Sequence, residues 1–361
     1  MITSLLFKWN FMKKYFFVVF VFISSFCFAQ STQNADTLHA TAKTFLQQGD
    51  YDNAVLVLKK ALQIQPDDLQ ITKDLLFAYY LKRDFAKAME VGKPLVERKD
   101  ADVQSFQLLG LTYRAIAEDD EAEKLYKTGL KKFPDEGVLY SEYGELVADK
   151  KMDLAVKLWE KGVDADPNYS SNYFLLAKQY ALSGNSLWSI LYAEMFLNME
   201  SFTARSTEMK NLLLDQYKKY FVAGYVPPKI TEKKNIDKKA DKKFVQFTTA
   251  VAETLNKQQS QTSLGITPET LTVIRTRFIL DWYNTYGDTY PFRLFEHQRQ
   301  LLQEGMFEAY NFWLFGPAAN LKAYQTWQQF HQQELNTFLT FIRSKVFKVP
   351  EGQQYYYIAA K

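Results

Sequence analysis

Gly49-Asp50-Tyr51-Asp52-Asn53-Ala54 is answered 34 residues later by Arg83-Asp84-Phe85-Ala86-Lys87-Ala88, and this pairing decides how the first half of the chain reads. The small residue at its end recurs as Ala54, Ala88, Ala122 and Ala155, at steps of 34, 34 and 33. Upstream, Ala42, Leu76, Gly110, Gly144 and Ala177 keep the same step, as do Phe45, Tyr79, Tyr113, Val147 and Tyr180. Pro66, Pro134 and Pro167 close three of the units, with Asp100 standing at the second closing position. A fixed period of this length marks one supersecondary unit repeated. A small residue lets a neighbouring helix approach, the aromatic one turn later fills the core, and Gly49 or Gly184 accepts backbone angles that other residues resist. Proline ends the second helix because it lacks an N–H and clashes with the preceding turn.

These residues resemble the tetratricopeptide-repeat (TPR) family, in an exported bacterial form. The resemblance implies an all-α fold, a TPR α-solenoid of about five helix-turn-helix repeats plus a capping helix, followed by a C-terminal helical region. The units run over about 35–68, 69–102, 103–136, 137–169 and 170–200, within a repeat region of 30–200. Gly92 and Pro94 are expected to kink the second helix of unit two. The fifth unit lacks the small crossing residue, with Ser189 in its place, and has no closing proline. A capping helix is expected within 201–225, with Met209, Leu212, Leu213, Tyr217 and Phe221 at helical spacing.

The ends of the chain read differently. Lys8, Lys13 and Lys14 precede a charge-free apolar run, Tyr15 to Phe28, and Ala29 offers a cleavage point before Gln30, so residues 1–29 have the outline of a secretory signal starting at Met1 or Met12. The run is short for a membrane span. Export to the periplasm, or peripheral association with the envelope, is the localisation expected, with no stable span after cleavage. The formal charge of +3 rests on those three lysines, since none of the 41 acidic residues lies in 1–29; the remainder is balanced, which argues against a nucleic-acid partner. Cys27 is the only cysteine, so the mature chain has no disulfide, thiolate metal site or cysteine nucleophile.

Residues 226–243 are expected to be a basic linker: Lys229 to Lys243 holds seven lysines and three acids. Residues 244–361 are expected to be a helical domain rich in aromatics, which make up 21 of the 94 residues from Pro268 onward against 16% overall. Phe244, Phe247, Val251 and Leu255 share one helical face. Thr267-Pro268-Glu269 is a helix start. Further helices are expected from Pro291 to about Glu304, from Met306 to Phe315, and in one long run from Asn320 or Leu321 with Tyr324, Trp327, Phe330, Phe338 and Phe341 on its apolar face. Gln354–Ile358 reads as a short extended piece.

No constellation for catalysis, cofactor or metal emerges. His39, His297 and His331 form no metal-binding pair, and the His331 and Glu334 spacing has no matching second half. Asp281 and Asp288 near Trp282 and Tyr283 have the composition of paired carboxylates for sugar chemistry, but acids at helix ends are common. Asn168-Tyr169-Ser170 matches a glycosylation sequon. The TPR resemblance instead implies a partner on the concave face lined by the first helices. Carried over by position, that face holds Lys43 and Leu46; Lys73, Phe77 and Tyr80; Gln107, Leu111 and Arg114; Ser141 and Glu145; Phe174 and Lys178. Phe77, Tyr80 and Phe174 are expected as apolar anchors, with contact to the next repeat as the alternative for Phe77 and Phe174, and Lys43, Lys73, Arg114 and Lys178 as cations for acidic groups. Lys43 and Phe77 stand where a carboxylate clamp would carry asparagine. The expected function is a non-catalytic scaffold or adaptor for an envelope protein or peptide. The alternative is an enzyme or ligand domain at the C-terminus that the repeats supply with substrate.

Overall fold

The computed structural model describes residues 34–223 and 239–357; the expected signal segment 1–29, most of the expected basic linker and Ile358 lie outside them. The described residues hold seventeen α-helices and no strand.

Residues 34–101 form one unit of two hairpins. Helices α1 (Ala35–Gln48) and α2 (Tyr51–Ile64) are followed by α3 (Leu69–Leu81) and α4 (Phe85–Glu97). Each begins on a carboxylate or carboxamide that accepts a free first-turn N–H: Asn34, Asp50, Asp68 and Asp84 accept from Thr37, Asn53, Ile71 and Lys87. The turn between α1 and α2 uses Gly49 at φ 76°, while the same turn in the next hairpin puts Arg83 at φ 64°. Ala42, Ala54, Leu58 and Ala61 are buried where α1 and α2 cross. Helix α4 continues past Gly92 and Pro94 to Glu97. Pro94 removes one helix bond, the N–H that would reach the Glu90 carbonyl, and the helix carries on without it.

The second unit starts with three more hairpins: α5 (Val103–Ala115) with α6 (Asp119–Lys132), α7 (Gly137–Val147) with α8 (Met152–Ala165), and α9 (Ser170–Leu182) with α10 (Ser186–Met199). The small residues work by steric fit. A Cβ at Gly110 would come within 2.5 Å of the Tyr126 hydroxyl and 2.6 Å of its ring, and one at Gly144 would overlap Trp159. Ser189, which the sequence reading counted as a missing crossing residue, fills that place: it is buried and its hydroxyl donates to the Ala177 carbonyl at 2.8 Å.

Helix α10 is buried on every side from Ser186 to Leu197. It is covered by α9, by α11 (Ala204–Ala223), and by side chains of the C-terminal helices. Helix α11 packs on α10 and also on α15 (Phe307–Ala319), so it joins the repeats to the helices beyond it. Those helices are α12 (Lys239–Asn256), a short 3-10 turn over Gln259–Leu264, α13 (Pro268–Thr285), α14 (Arg293–Gln303), α15, α16 (Leu321–Phe330) and α17 (Gln332–Ser344).

Helix α12 starts at Lys239, so the end of the basic stretch forms its first turn. Two expectations are corrected here. Helix α15 runs through Pro317 to Ala319 instead of ending at Phe315. The long last helix is two: His331 leaves helical angles at φ −122°, ψ 34°, and its ring stacks on Trp327 at 4.5 Å while its Nδ1 meets the Trp327 carbonyl. The break turns Phe330 outward, 79% exposed, whereas Phe338 is fully buried.

Candidate protein-interaction surface

The first helices of the hairpins carry the positions expected to face a partner. In residues 34–101, Lys43 is exposed on α1, and Phe77 and Tyr80 are half-buried on α3. Their rings lie 6.4 Å apart and nearly parallel, and Tyr80 continues to the half-buried Phe85 at 6.0 Å. Three aromatic rings with an open side therefore lie side by side. Lys73, one helical turn before Phe77, is buried. His39 meets the Asp74 carboxylate at 2.6 Å, and Gln70 donates to the same carboxylate at 3.1 Å.

In the second unit, α5, α7, α9 and α11 lie side by side, and polar side chains lace each to the next. Arg114 on α5 donates to Glu142 and, at 3.3 Å, to Glu145 on α7; Gln107 donates to Glu142 at 3.4 Å. Burial pushes the Glu142 carboxyl above its ordinary range even with Arg114 beside it. Lys178 on α9 reaches Glu208 on α11 at 2.7 Å, and Arg205 on α11 donates to Ser171. Arg114 and Lys178, expected as cations for a partner, therefore already hold acidic groups of the chain. Leu111 is half-buried, Ser141 is buried and Glu145 is exposed.

Phe174 is corrected. The ring is buried, 5.1 Å from Phe196, with the Arg205 guanidinium and the Lys178 ammonium 5.0 and 5.1 Å from its centroid. It belongs to the packing of α9 on α10 and α11, where its ring covers part of the buried α10.

The residues expected for the alternative chemistry are not brought together. Asp281 accepts from Gln258 at 2.8 Å, Asp288 lines a polar surface cleft with Tyr283, Glu296 and Arg299, and Glu334 is exposed on α17. His297 sits among Tyr310, Phe341 and Phe347; burial lowers its pKa to about 3, so the ring is neutral. Among the described residues no three His, Cys, Asp or Glu side chains are grouped to hold a metal ion, and no helix is long and apolar enough to cross a membrane.

Two buried polar clusters went unnoticed in the sequence. Glu194 on α10 pairs with Arg275 on α13, at 1% and 2% side-chain exposure, and also accepts from Gln298 at 2.6 Å and Tyr310 at 2.8 Å. Glu160 on α8 is held between the phenols of Tyr180 and Tyr192, at 2.7 and 2.8 Å. For Glu194 the available signal was a lone acid inside the long apolar run of α10; Glu160, beside Lys161 on a helix with other acids, gave none.

The repeats are recognised by comparison. The sequence model of the tetratricopeptide repeat matches residues 45–111, and a second model of the same repeat matches 105–135. The chain therefore carries tetratricopeptide repeats. Tetratricopeptide repeat protein 21B of Homo sapiens is 28% identical over 136 residues, 37% of this chain and 10% of that protein, so the match spans about a tenth of the human protein. Among solved structures, a thermophilic TPR protein of Thermus thermophilus is 18% identical, over 50% of this chain and 99% of its own, with a TM-score of 0.42. MamA from Desulfovibrio magneticus RS-1 is 16% identical over 51% and 97%, with a TM-score of 0.37. YrrB, described as a TPR protein with an unusual peptide-binding site, is 13% identical over 50% and 94%, with a TM-score of 0.35.

Proposed function

We propose that this chain is a non-catalytic scaffold of the cell envelope, exported by its N-terminal segment, that binds a protein or peptide on the concave face of its repeats. The observation that carries the reading is the half-open aromatic row Phe77, Tyr80 and Phe85 on repeats that the family models recognise. Half-buried aromatic side chains are the residue class that most often anchors a partner. In the second unit a ligand competes with Glu142, Glu145 and Glu208 for Arg114 and Lys178, so that part of the face selects for acidic groups only weakly. Phe174 is not an anchor.

The test is affinity capture from gently cross-linked native cells, comparing wild type with a Phe77→Ala, Tyr80→Ala variant. The expected outcome is an envelope protein retained by the wild type and lost by a variant of unchanged helical content. Capture of the same set by both would remove the concave face from the proposal. The mass of the purified chain, expected to begin at Gln30, tests export in the same preparation.

A further inference from the structure

Residues 346–357, which follow α17, adopt no regular structure, yet they are bound. Phe347 and Val349 are buried while Val346, Lys348 and Pro350 are exposed, the alternation of an extended chain lying on a surface. The main chain is held mostly by side chains from distant parts of the chain. The Asn168 carboxamide, in the turn between α8 and α9, takes both backbone groups of Val349: its Oδ1 accepts the N–H at 2.9 Å and its Nδ2 donates to the carbonyl at 3.2 Å. Arg293 donates through Nε to the Lys348 carbonyl at 2.9 Å and through its backbone N–H to the Gln353 carbonyl at 3.2 Å. Beyond a turn at Gly352, the Tyr357 N–H donates to the Tyr192 hydroxyl at 2.8 Å.

The side chains fill separate pockets. Phe347 packs edge-on to His297 under the Arg293 guanidinium. Tyr355 stacks on Phe247 at 3.8 Å. Tyr357 meets Tyr180 and Trp188 edge-on at 5.3 and 6.0 Å. Main-chain hydrogen bonds that give affinity, combined with pockets for alternate side chains that give specificity, are how proteins read an extended peptide.

We propose that residues 346–357 are a tethered peptide ligand. The surface built from Asn168, Tyr180, Trp188, Tyr192, Phe247 and Arg293 is a binding site for an extended segment with an apolar-x-apolar start and an aromatic-x-aromatic end. The chain's own tail occupies it in cis, and a partner protein carrying a segment of the same pattern displaces the tail. The exposed Lys345–Val346 junction at the end of α17 is the hinge of that exchange. This site uses none of the residues on which the concave-face reading stands.

The probe is a fluorescein-labelled synthetic peptide of residues 345–357, titrated into the full chain. A Phe347→Ala, Val349→Ala, Tyr357→Ala variant weakens the tethered ligand and leaves the receptor residues intact. It is expected to bind the peptide at least ~10-fold more tightly than wild type, because less of the site is occupied in cis. Adding Asn168→Ala is expected to remove the gain. Equal binding by wild type and variant, or no binding by a variant of native helicity, overturns the proposal. Peptide binding that tracks a tail-exchanged dimer gives the site to a second copy and overturns the hetero-partner. If the variant fails to fold, hydrogen exchange on the wild type decides: the Val349 and Tyr357 amides are expected to exchange at least ~100-fold faster than those at the centre of α10, through local release of the tail. Equal protection would make the tail ordinary core and overturn the proposal.

Discussion

Ala117 occupies the turn position that Gly49 and Gly184 fill in other repeats, and it takes the same left-handed backbone, φ 58°. A side chain in that region carries a steric cost that glycine avoids. Ala117→Gly is therefore expected to raise stability by about 1 kcal/mol, measured by urea denaturation. Glu160 carries the opposite lesson. Burial lifts its carboxyl from an ordinary value near 4.5 to about 8, even with two phenols donating to it. The folded chain thus holds this proton more tightly than the unfolded one. The stabilisation is complete below about pH 4.5 and is lost as pH rises through about 8. Wild type should lose a few kcal/mol relative to Glu160→Gln between pH 5 and 8.5, at roughly 1.4 kcal/mol per pKa unit; parallel stabilities across that range would refute the assignment. Gly49 and Gly184 announced their turns in the sequence. Glu160 did not, because its partners depend on how α8, α9 and α10 cross.

At the level of elements, the hairpins were legible because a period of 34 and a small residue at each crossing are local, repeated signals. The start of α13 was equally plain: Thr267 accepts from the Thr270 N–H and Thr270 returns a bond to the Thr267 N–H. The break at His331 was not, since no glycine or proline marks it and the apolar spacing runs on across it. Nor was the burial of Phe174, whose cover comes from Phe196 and Arg205 on helices further along the chain. The docking of α13 on α10 turns on Arg275 and Glu194. Removing one partner strands a buried charge, so Glu194→Ala is expected to cost about 3–5 kcal/mol. The double variant Glu194→Leu, Arg275→Met should recover most of it, because an apolar pair of similar volume leaves no charge to solvate. A double-mutant cycle read by chemical denaturation checks both.

Across the whole molecule, legibility follows contact range. Repeat units signal themselves within a few dozen residues, whereas Asn168 with Val349 and Tyr192 with Tyr357 are 181 and 165 residues apart and leave no periodic trace. The concave-face proposal rests on what was legible and the tethered tail on what was not. The capture experiment at Phe77 and Tyr80 and the peptide titration at Asn168 therefore report on separate surfaces, and one can fail while the other stands.

Most repeat arrays can gain or lose a unit because the last helix turns a polar side to water. Helix α10, buried around its whole circumference, removes that freedom. A unit duplicated or deleted after Met199 would strip α10 of the cover that α11 and the C-terminal helices give it and leave a cylinder of leucine, tryptophan, tyrosine and phenylalanine with nothing against it. The number of repeats at this end is therefore fixed by the fold, and relatives with longer or shorter arrays should differ upstream of Ser170.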